Sequence, residues 1–278
     1  MLSGIRPQKR LGQHFLRDRS VAERIIQSMR IGCEDRILEI GAGEGVLTER
    51  LIDSPARRIV AVELDARLAG WLKRRFEQHA RIEIVEADFL KLDLGALFSG
   101  EQKIRAVGNI PYAITTPILF RLLDGREKVR DVTVTLQKEV GERITSPPGC
   151  KAYGIPSVLF QMHSRIDVLF SVPRKAFYPV PRVDSIVLRF QFLDRPLHDV
   201  DDLSFFRRVV KTAFGQRRKM LKNTLKSLVL DEKRLQDIPF DLHRRPEELS
   251  VADFAMLSNT LFRYTPRRSR GRNANPTK

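Results

Sequence analysis

At 278 residues, with 42% hydrophobic and 30% charged side chains, the chain can bury a substantial core and is long enough to divide in two. It holds 50 Lys and Arg against 34 Asp and Glu, a formal charge of +16, which favours a polyanionic partner and salt-sensitive association. Two cysteines make no disulfide framework, the five histidines show no ligand spacing, and no apolar stretch approaches the ~18 residues that span a bilayer. A metal-free, cytoplasmic protein with no membrane partner is therefore expected.

Residues 1–20 form a basic N-terminal segment with Arg6, Lys9, Arg10, Arg17 and Arg19, and they lack the apolar stretch of a secretory signal. From Arg36 an apolar strand runs into Gly41, Gly43 and Gly45, and Val46, Leu47, Leu51 and Ile52 continue at helical spacing. Strand, glycine turn and helix in this order make a nucleotide-type site at the carboxyl edge of a parallel sheet. A dinucleotide fingerprint needs a third glycine where Val46 stands, which argues against NAD.

The next strand, residues 58–62, ends at Glu63, close to the ~20-residue spacing from the glycine turn at which a carboxylate reaches a ribose diol. A third strand, 81–86, is followed by Asp88, an acceptor for an adenine amino group at the same edge. Each acid alone is more often a solvated strand end. Together with the glycine turn they fit S-adenosylmethionine, which has adenine, ribose and a methionine tail but no phosphates.

The apolar run 104–108 leads into Asn109, Ile110, Pro111 and Tyr112. This sequence suits an adenine amino group, a poor nucleophile that needs acceptors for its two hydrogens as positive charge grows on the nitrogen. The Asn109 Oδ1 and the Ile110 carbonyl can be those acceptors, with Pro111 holding Ile110 extended and Tyr112 offering a flat face. Alone, Asn-X-Pro-Tyr is also an ordinary turn. Residues 131–137, 167–172 and 185–192 read as later strands, so 21–193 is expected to form one α/β domain.

Polarity rises around 194–202, and 200–264 reads as a small helical domain. Between 203 and 230 there are eight basic residues and no acid: Arg207, Arg208, Lys211, Arg217, Arg218, Lys219, Lys222 and Lys226. Apolar residues recur there at helical spacing, predicting two amphipathic helices broken near Gly215, each with a basic face for nucleic acid. Residues 265–278, with Arg267, Arg268, Arg270, Arg272 and Lys278, are expected to be a disordered basic tail.

Seven stretches carry a family resemblance: Leu11-Gly-Gln-His-Phe-Leu16, Glu39-Ile-Gly-Ala-Gly43, Gly108-Asn-Ile-Pro-Tyr112, Leu136-Gln-Lys-Glu-Val140, Lys151-Ala-Tyr-Gly154, Phe177-Tyr-Pro-Val-Pro-Arg-Val-Asp-Ser185 and Ala213-Phe-Gly-Gln-Arg-Arg-Lys219. In this order, across nearly the whole chain, they resemble the small-subunit rRNA adenine N6,N6-dimethyltransferases, the KsgA/RsmA group. The resemblance implies a Rossmann-like class I methyltransferase sheet with a C-terminal helical domain. It also implies cofactor contacts at His14, Leu16, Gly41, Gly43, Glu63, Asp88 and Asn109, with His14 standing where the family often has Asn. Phe177 would be the second stacking wall for the target base, opposite Tyr112, and Arg217, Arg218, Lys219 and Lys222 would contact RNA.

The implied reaction is dimethylation of two adjacent adenosines in a loop near the 3′ end of 16S rRNA within the immature 30S subunit, by a monomer. Three rivals stay open: a large-subunit rRNA methyltransferase, a DNA adenine methyltransferase, and an assembly factor whose main job is binding the small subunit. Gln216-Arg-Arg-Lys219 and Lys151-Ala-Tyr-Gly154 favour the small-subunit enzyme over the first.

Overall fold

The computed structural model describes residues 4–8, 12–98, 103–228 and 238–264, in two compact units. The first comprises Met1–Gly141 and Arg165–Asp194, and the second Glu142–Ser164 and Arg195–Lys278.

A seven-stranded sheet organises the first unit. In chain order its strands are β2 (Arg36–Ile40), β3 (Arg58–Glu63), β4 (Ile82–Glu86), β5 (Ile104–Asn109), β6 (Val129–Gln137), β7 (Ser164–Val172) and β9 (Ser185–Phe192). Across the sheet they run β4-β3-β2-β5-β6-β9-β7. The first five are parallel, and β9 pairs antiparallel with β6. β2, β3 and β5 are apolar nearly throughout and buried on both faces, as inner strands of a parallel sheet must be.

Helices follow their strands: α2 (Val46–Ile52) after β2, α3 (Ala66–Arg75) after β3, α5 (Thr115–Asp124) after β5. Asp65 caps α3 by accepting the Arg67 N–H, and Lys73, Arg74 and Arg75 sit in the last turn, where the helix dipole favours cations. The short α4 (Leu94–Leu97) precedes β5. Ahead of the sheet, α1 (Arg19–Met29) is capped by Asp18 and buries Ala22, Ile25, Ile26 and Met29. Strand order reverses between β2 and β5, and the crevice outside the carboxyl ends there is where open α/β sheets bind ligands.

The opposite edge holds a charge buried in the core. Arg105, 1% exposed, donates from Nε to both oxygens of Asp131 at 3.0 Å, from Nη1 to Asp35 at 2.7 Å and from Nη2 to the Met29 carbonyl at 2.5 Å. A guanidinium is tolerable there because its donors are satisfied in a fixed fork.

A two-stranded ribbon of β1 (Phe15–Leu16) and β8 (Phe177–Tyr178) stands apart from the sheet, pairing Phe15 with Tyr178 and Leu16 with Phe177. α6 (Lys138–Thr145) follows β6.

The second unit is helical. α8 (Leu203–Phe214) buries Phe205, Phe206, Val209, Val210 and Ala213, and is packed against α7 (Ile155–His163) and α10 (Val251–Tyr264). Aromatic pairs tie these elements: Phe205 with Phe262 at 5.3 Å, and Phe214 with Phe254 at 5.7 Å.

Two expectations need correction. The second basic helix is only α9 (Leu221–Thr224), continued by a 3-10 turn at Leu225–Leu228. Asn223, Thr224 and Ser227 compete with helical hydrogen bonds, and Thr224 Oγ1 turns back to the Leu221 carbonyl at 3.2 Å. The sheet domain is also interrupted: Glu142–Ser164 is grouped with the C-terminal helices, because Val158, Leu159, Phe160 and Met162 of α7 are buried and α7 packs on α8 and α10. Lys9, Arg10 and the 265–278 tail lie outside the described residues. No helix among the described residues is long and apolar enough to cross a membrane.

Candidate active site

A cavity opens at the strand-order reversal, bordered by the ends of β2, β3 and β5, the 12–16 segment and the loop after β4. Of the residues expected at the cofactor, His14, Leu16, Gly41, Gly43, Glu63, Asp88 and Asn109 all line it, as do Ile110, Pro111 and Tyr112.

The glycine turn is held by β3. The Gly41 N–H donates to the Val62 carbonyl at 2.9 Å. Gly43 adopts φ +58°, and a Cβ there would sit 3.2 Å from the Phe15 ring, so glycine answers both the conformation and the space. β2 and β5 also approach closely: a Cβ on Gly108 would lie 2.5 Å from the Ile40 carbonyl oxygen.

Glu63 is fixed by the backbone around it. Its Oε2 accepts the Gly43 N–H and its Oε1 the Asp65 N–H, both at 2.8 Å. A carboxylate has about four acceptor positions, so two remain for a diol. Burial pushes this carboxyl above the ordinary Glu value, against the pull of the two N–H bonds. Asp88 Oδ1 accepts the Leu90 N–H at 3.0 Å.

Glu39 is 1% exposed, and burial pushes its carboxyl up to about 8, opposed by the Thr48 hydroxyl that donates to it at 2.7 Å. Glu39 and Glu44 both border the cavity, so four carboxyl groups line it, and no Lys or Arg does among the described residues. Glu39 keeps its proton near neutral pH, but a lining with other acids and no base is still a local inversion in a chain of net charge +16, and it suits a neutral or cationic ligand better than a polyphosphate.

Asn109 ends β5, paired with Thr135 of β6, so its backbone is set by the sheet. Its Nδ2 donates to the His14 carbonyl at 2.8 Å. A carbonyl only accepts, so the amide orientation is decided and Oδ1 is left as an acceptor. Pro111 has φ −56° and ψ 129°, and its own carbonyl is occupied by the Ile114 N–H at 3.1 Å and the Thr115 hydroxyl at 3.2 Å. Tyr112 is placed from two sides: its hydroxyl pairs with Ser185 Oγ at 2.6 Å, and its ring stacks on His14 with centroids 5.2 Å apart. Burial pushes the Tyr112 phenol above its ordinary value.

Phe177 is not where the sequence puts it. The residue is 2% exposed, within the core cluster that holds Leu16, Ile25, Val172 and Val187, and it does not border the cavity. Directly paired residues of an antiparallel ribbon share a face, so the pairing sends Leu16 and Phe177 to the core and Phe15 and Tyr178 to the other side. Phe15 lines the cavity, while Tyr178 is 39% exposed with the Arg17 guanidinium 3.9 Å over its ring.

The expected RNA contacts lie in the second unit. Arg218, Lys219 and Lys222 are exposed. Arg217 differs: its Nε donates to Glu247 at 2.8 Å and its terminal nitrogen to the Cys150 carbonyl at 3.3 Å. The compensating acid absent from 203–230 arrives from elsewhere in the chain. Leu64 was missed by sequence reasoning. It follows Glu63, stays 47% exposed and borders the cavity, and the available signal was an apolar side chain at a strand end where polar residues are usual.

Among the described residues no cluster of three or more His, Cys, Asp or Glu could hold a metal ion. The chain is similar to known proteins over nearly its whole length. A Ribosomal RNA small subunit methyltransferase A of Geobacter metallireducens is 44% identical over 267 residues, covering 93% of this chain and 97% of its own. The crystal structure of a dimethyladenosine transferase from Plasmodium falciparum superposes with a TM-score of 0.74 at 24% identity, covering 88% of this chain and 96% of the other. That of the 23S rRNA methyltransferase ErmE reaches 0.68 at 26% identity, covering 89% and 99%. The family described as Ribosomal RNA adenine dimethylase matches residues 5–261, and the chain belongs to it.

Proposed function

We propose that the chain transfers methyl groups from S-adenosylmethionine to N6 of two adjacent adenosines, in a loop near the 3′ end of 16S rRNA within the immature 30S subunit. It acts as a cytoplasmic monomer without a metal. The observation that carries this is the Asn109 amide: with Nδ2 committed to the His14 carbonyl, Oδ1 is the group left to accept a hydrogen from an incoming amine.

The residues suit the donor. Glu63 keeps acceptor positions for the ribose hydroxyls, Asp88 keeps Oδ2 for the adenine amino group, and Leu64 offers an apolar surface to the ring. A lining that has acids besides the protonated Glu39 and no Lys or Arg among the described residues favours a ligand with positive charge. When bound, the donor supplies a methyl group on a sulfonium, open to in-line displacement.

In the first transfer Asn109 Oδ1 and the Ile110 carbonyl accept the two N6 hydrogens, and in the second one of them accepts the single hydrogen that is left, in each case drawing the nitrogen toward sp³ geometry and stabilising the charge that grows on it. The spare proton leaves to water, so no dedicated base is needed. Tyr112 stacks the target base, a contact worth about 1–3 kcal/mol, which offsets part of the cost of unstacking it from RNA. Phe177 does not supply the second wall in this arrangement. Arg218, Lys219 and Lys222 hold the RNA backbone. The small subunit is favoured over the large by the higher identity to the small-subunit methyltransferase than to ErmE.

Mass spectrometry of rRNA from cells with and without the gene tests this reading. Loss of dimethyladenosine from 16S rRNA, restored by the purified protein on 30S particles, is expected. Unchanged 16S rRNA, or loss confined to 23S rRNA, would refute it.

A further inference from the structure

Tyr178 is kept out of the core by the register of the β1–β8 ribbon. Its direct partner Phe15 lines the cavity, and the two share a face of the ribbon. Tyr178 is 39% exposed, and the Arg17 guanidinium lies over its ring, 3.9 Å from the centroid. The next residue, Pro179, has its carbonyl 2.6 Å from His14 Nδ1, and the His14 ring stacks on Tyr112. The Arg17–Tyr178 pair therefore stands at the rim of the site, close to the ring that takes the target base but outside the cavity lining.

A single exposed aromatic is ordinary, but this one has cations around it. Arg17, Arg174, Lys175 and Arg182 are all exposed. They outnumber the two acids of the same segments, and both acids are bound to backbone: Asp18 Oδ1 accepts the Ser20 and Val21 N–H groups, and Asp184 Oδ1 accepts the Arg174 N–H at 2.9 Å. The rim is thus cationic and aromatic, whereas the cavity beside it has an acidic lining without Lys or Arg among the described residues. A polyanion with unpaired bases fits the rim.

We infer that Arg17 and Tyr178 form a stacking platform for an RNA nucleotide that flanks the target adenosine. This rests on the reading that the cavity takes an adenine of rRNA. An adenosine drawn out of its stack leaves its chain neighbours short of a stacking partner, and brings them to the rim. A guanidinium over a tyrosine ring offers such a base a surface that tolerates any sequence, and offers the adjoining phosphate a counter-charge. The neighbouring Phe177 cannot serve, because the ribbon pairing turns it into the core.

Cross-linking identifies the occupant. With p-benzoylphenylalanine in place of Tyr178, irradiation of the protein on 30S particles is expected to join it to 16S rRNA within about three nucleotides of the methylated adenosines, as mapped by primer extension. A cross-link to a ribosomal protein alone, to distant rRNA, or to nothing would overturn the inference. In steady-state methylation of 30S particles, Tyr178→Ala is expected to lower kcat/KM about tenfold, with the loss in KM for the particle rather than in kcat. Tyr178→Phe, which keeps the ring, should recover most of that loss, and Arg17→Ala should lower kcat/KM about threefold to tenfold.

An unchanged KM in Tyr178→Ala would overturn the platform. So would an equal loss of S-adenosylmethionine affinity by calorimetry, since that would mark the ring as a support of the fold. If the wild-type protein methylates no 16S rRNA, the proposed function fails. If it does so while the cross-link lies elsewhere, the platform alone fails.

Discussion

Replacing Asn109 tests the centre of the site. Asn109→Ala removes two things at once, the Nδ2 bond to the His14 carbonyl at 2.8 Å and the Oδ1 acceptor. The first is a neutral hydrogen bond worth about 1 kcal/mol of net stability, which for a protein of this size lowers Tm by only about 2–4 °C. The second acts only as charge grows on the attacking nitrogen. If it behaves like one donor of an oxyanion hole, its loss costs about 2.7–4 kcal/mol, or two to three orders of magnitude in kcat. A folded protein that barely turns over is therefore expected.

Single-turnover transfer of a tritiated methyl group to 30S particles, with enzyme in excess, isolates the chemical step. Asn109→Asp sharpens the test. It restores an acceptor oxygen but sets a second oxygen 2.8 Å from the His14 carbonyl, where two acceptors repel. Its rate should fall between wild type and Ala. Turnover by Asn109→Ala within threefold of wild type would refute the acceptor role.

Three other outcomes follow from the coordinates. Asp131→Ala strands the buried Arg105 guanidinium and should cost about 3–5 kcal/mol, read as a lowered urea midpoint; a loss under about 1 kcal/mol would show that Asp35 and the Met29 carbonyl suffice. Glu39 has a folded value of about 8, above its ordinary 4.5, so the native state holds a proton that the unfolded chain releases between these values. Its contribution is full below about pH 4.5 and is lost as pH rises to about 8. At about 1.4 kcal/mol per unit that loss is at most about 5 kcal/mol, and in Glu39→Gln this part of the pH dependence should vanish. Joint replacement of Arg218, Lys219 and Lys222 by Ala should reduce the slope of log affinity for rRNA against log salt by about 2–3, whereas Arg217→Ala, whose charge Glu247 already meets, should change it by less than 1.

Local pattern was enough for much of the molecule. The apolar runs at 36–40, 58–63 and 104–109 are legible as inner strands because both their faces are buried, and the glycines at 41 and 43 mark the turn by excluding any side chain. The carboxylates at strand ends and the Asn109–Tyr112 segment were legible for the same reason: neighbours in sequence stay neighbours in space. Long-range pairing decided the rest. Phe177 and Tyr178 are equally aromatic, and only the pairing with Phe15 and Leu16 determines which ring enters the core, since a one-residue slip exchanges the faces. Arg217 reads as a free cation until Glu247, 30 residues on, meets it, and Glu142–Ser164 joins the C-terminal helices although it lies between strands of the sheet. Sequence spacing carries the chemistry that each segment can perform. Which segments share that chemistry depends on contacts between residues far apart in the chain, and periodicity holds no information about those.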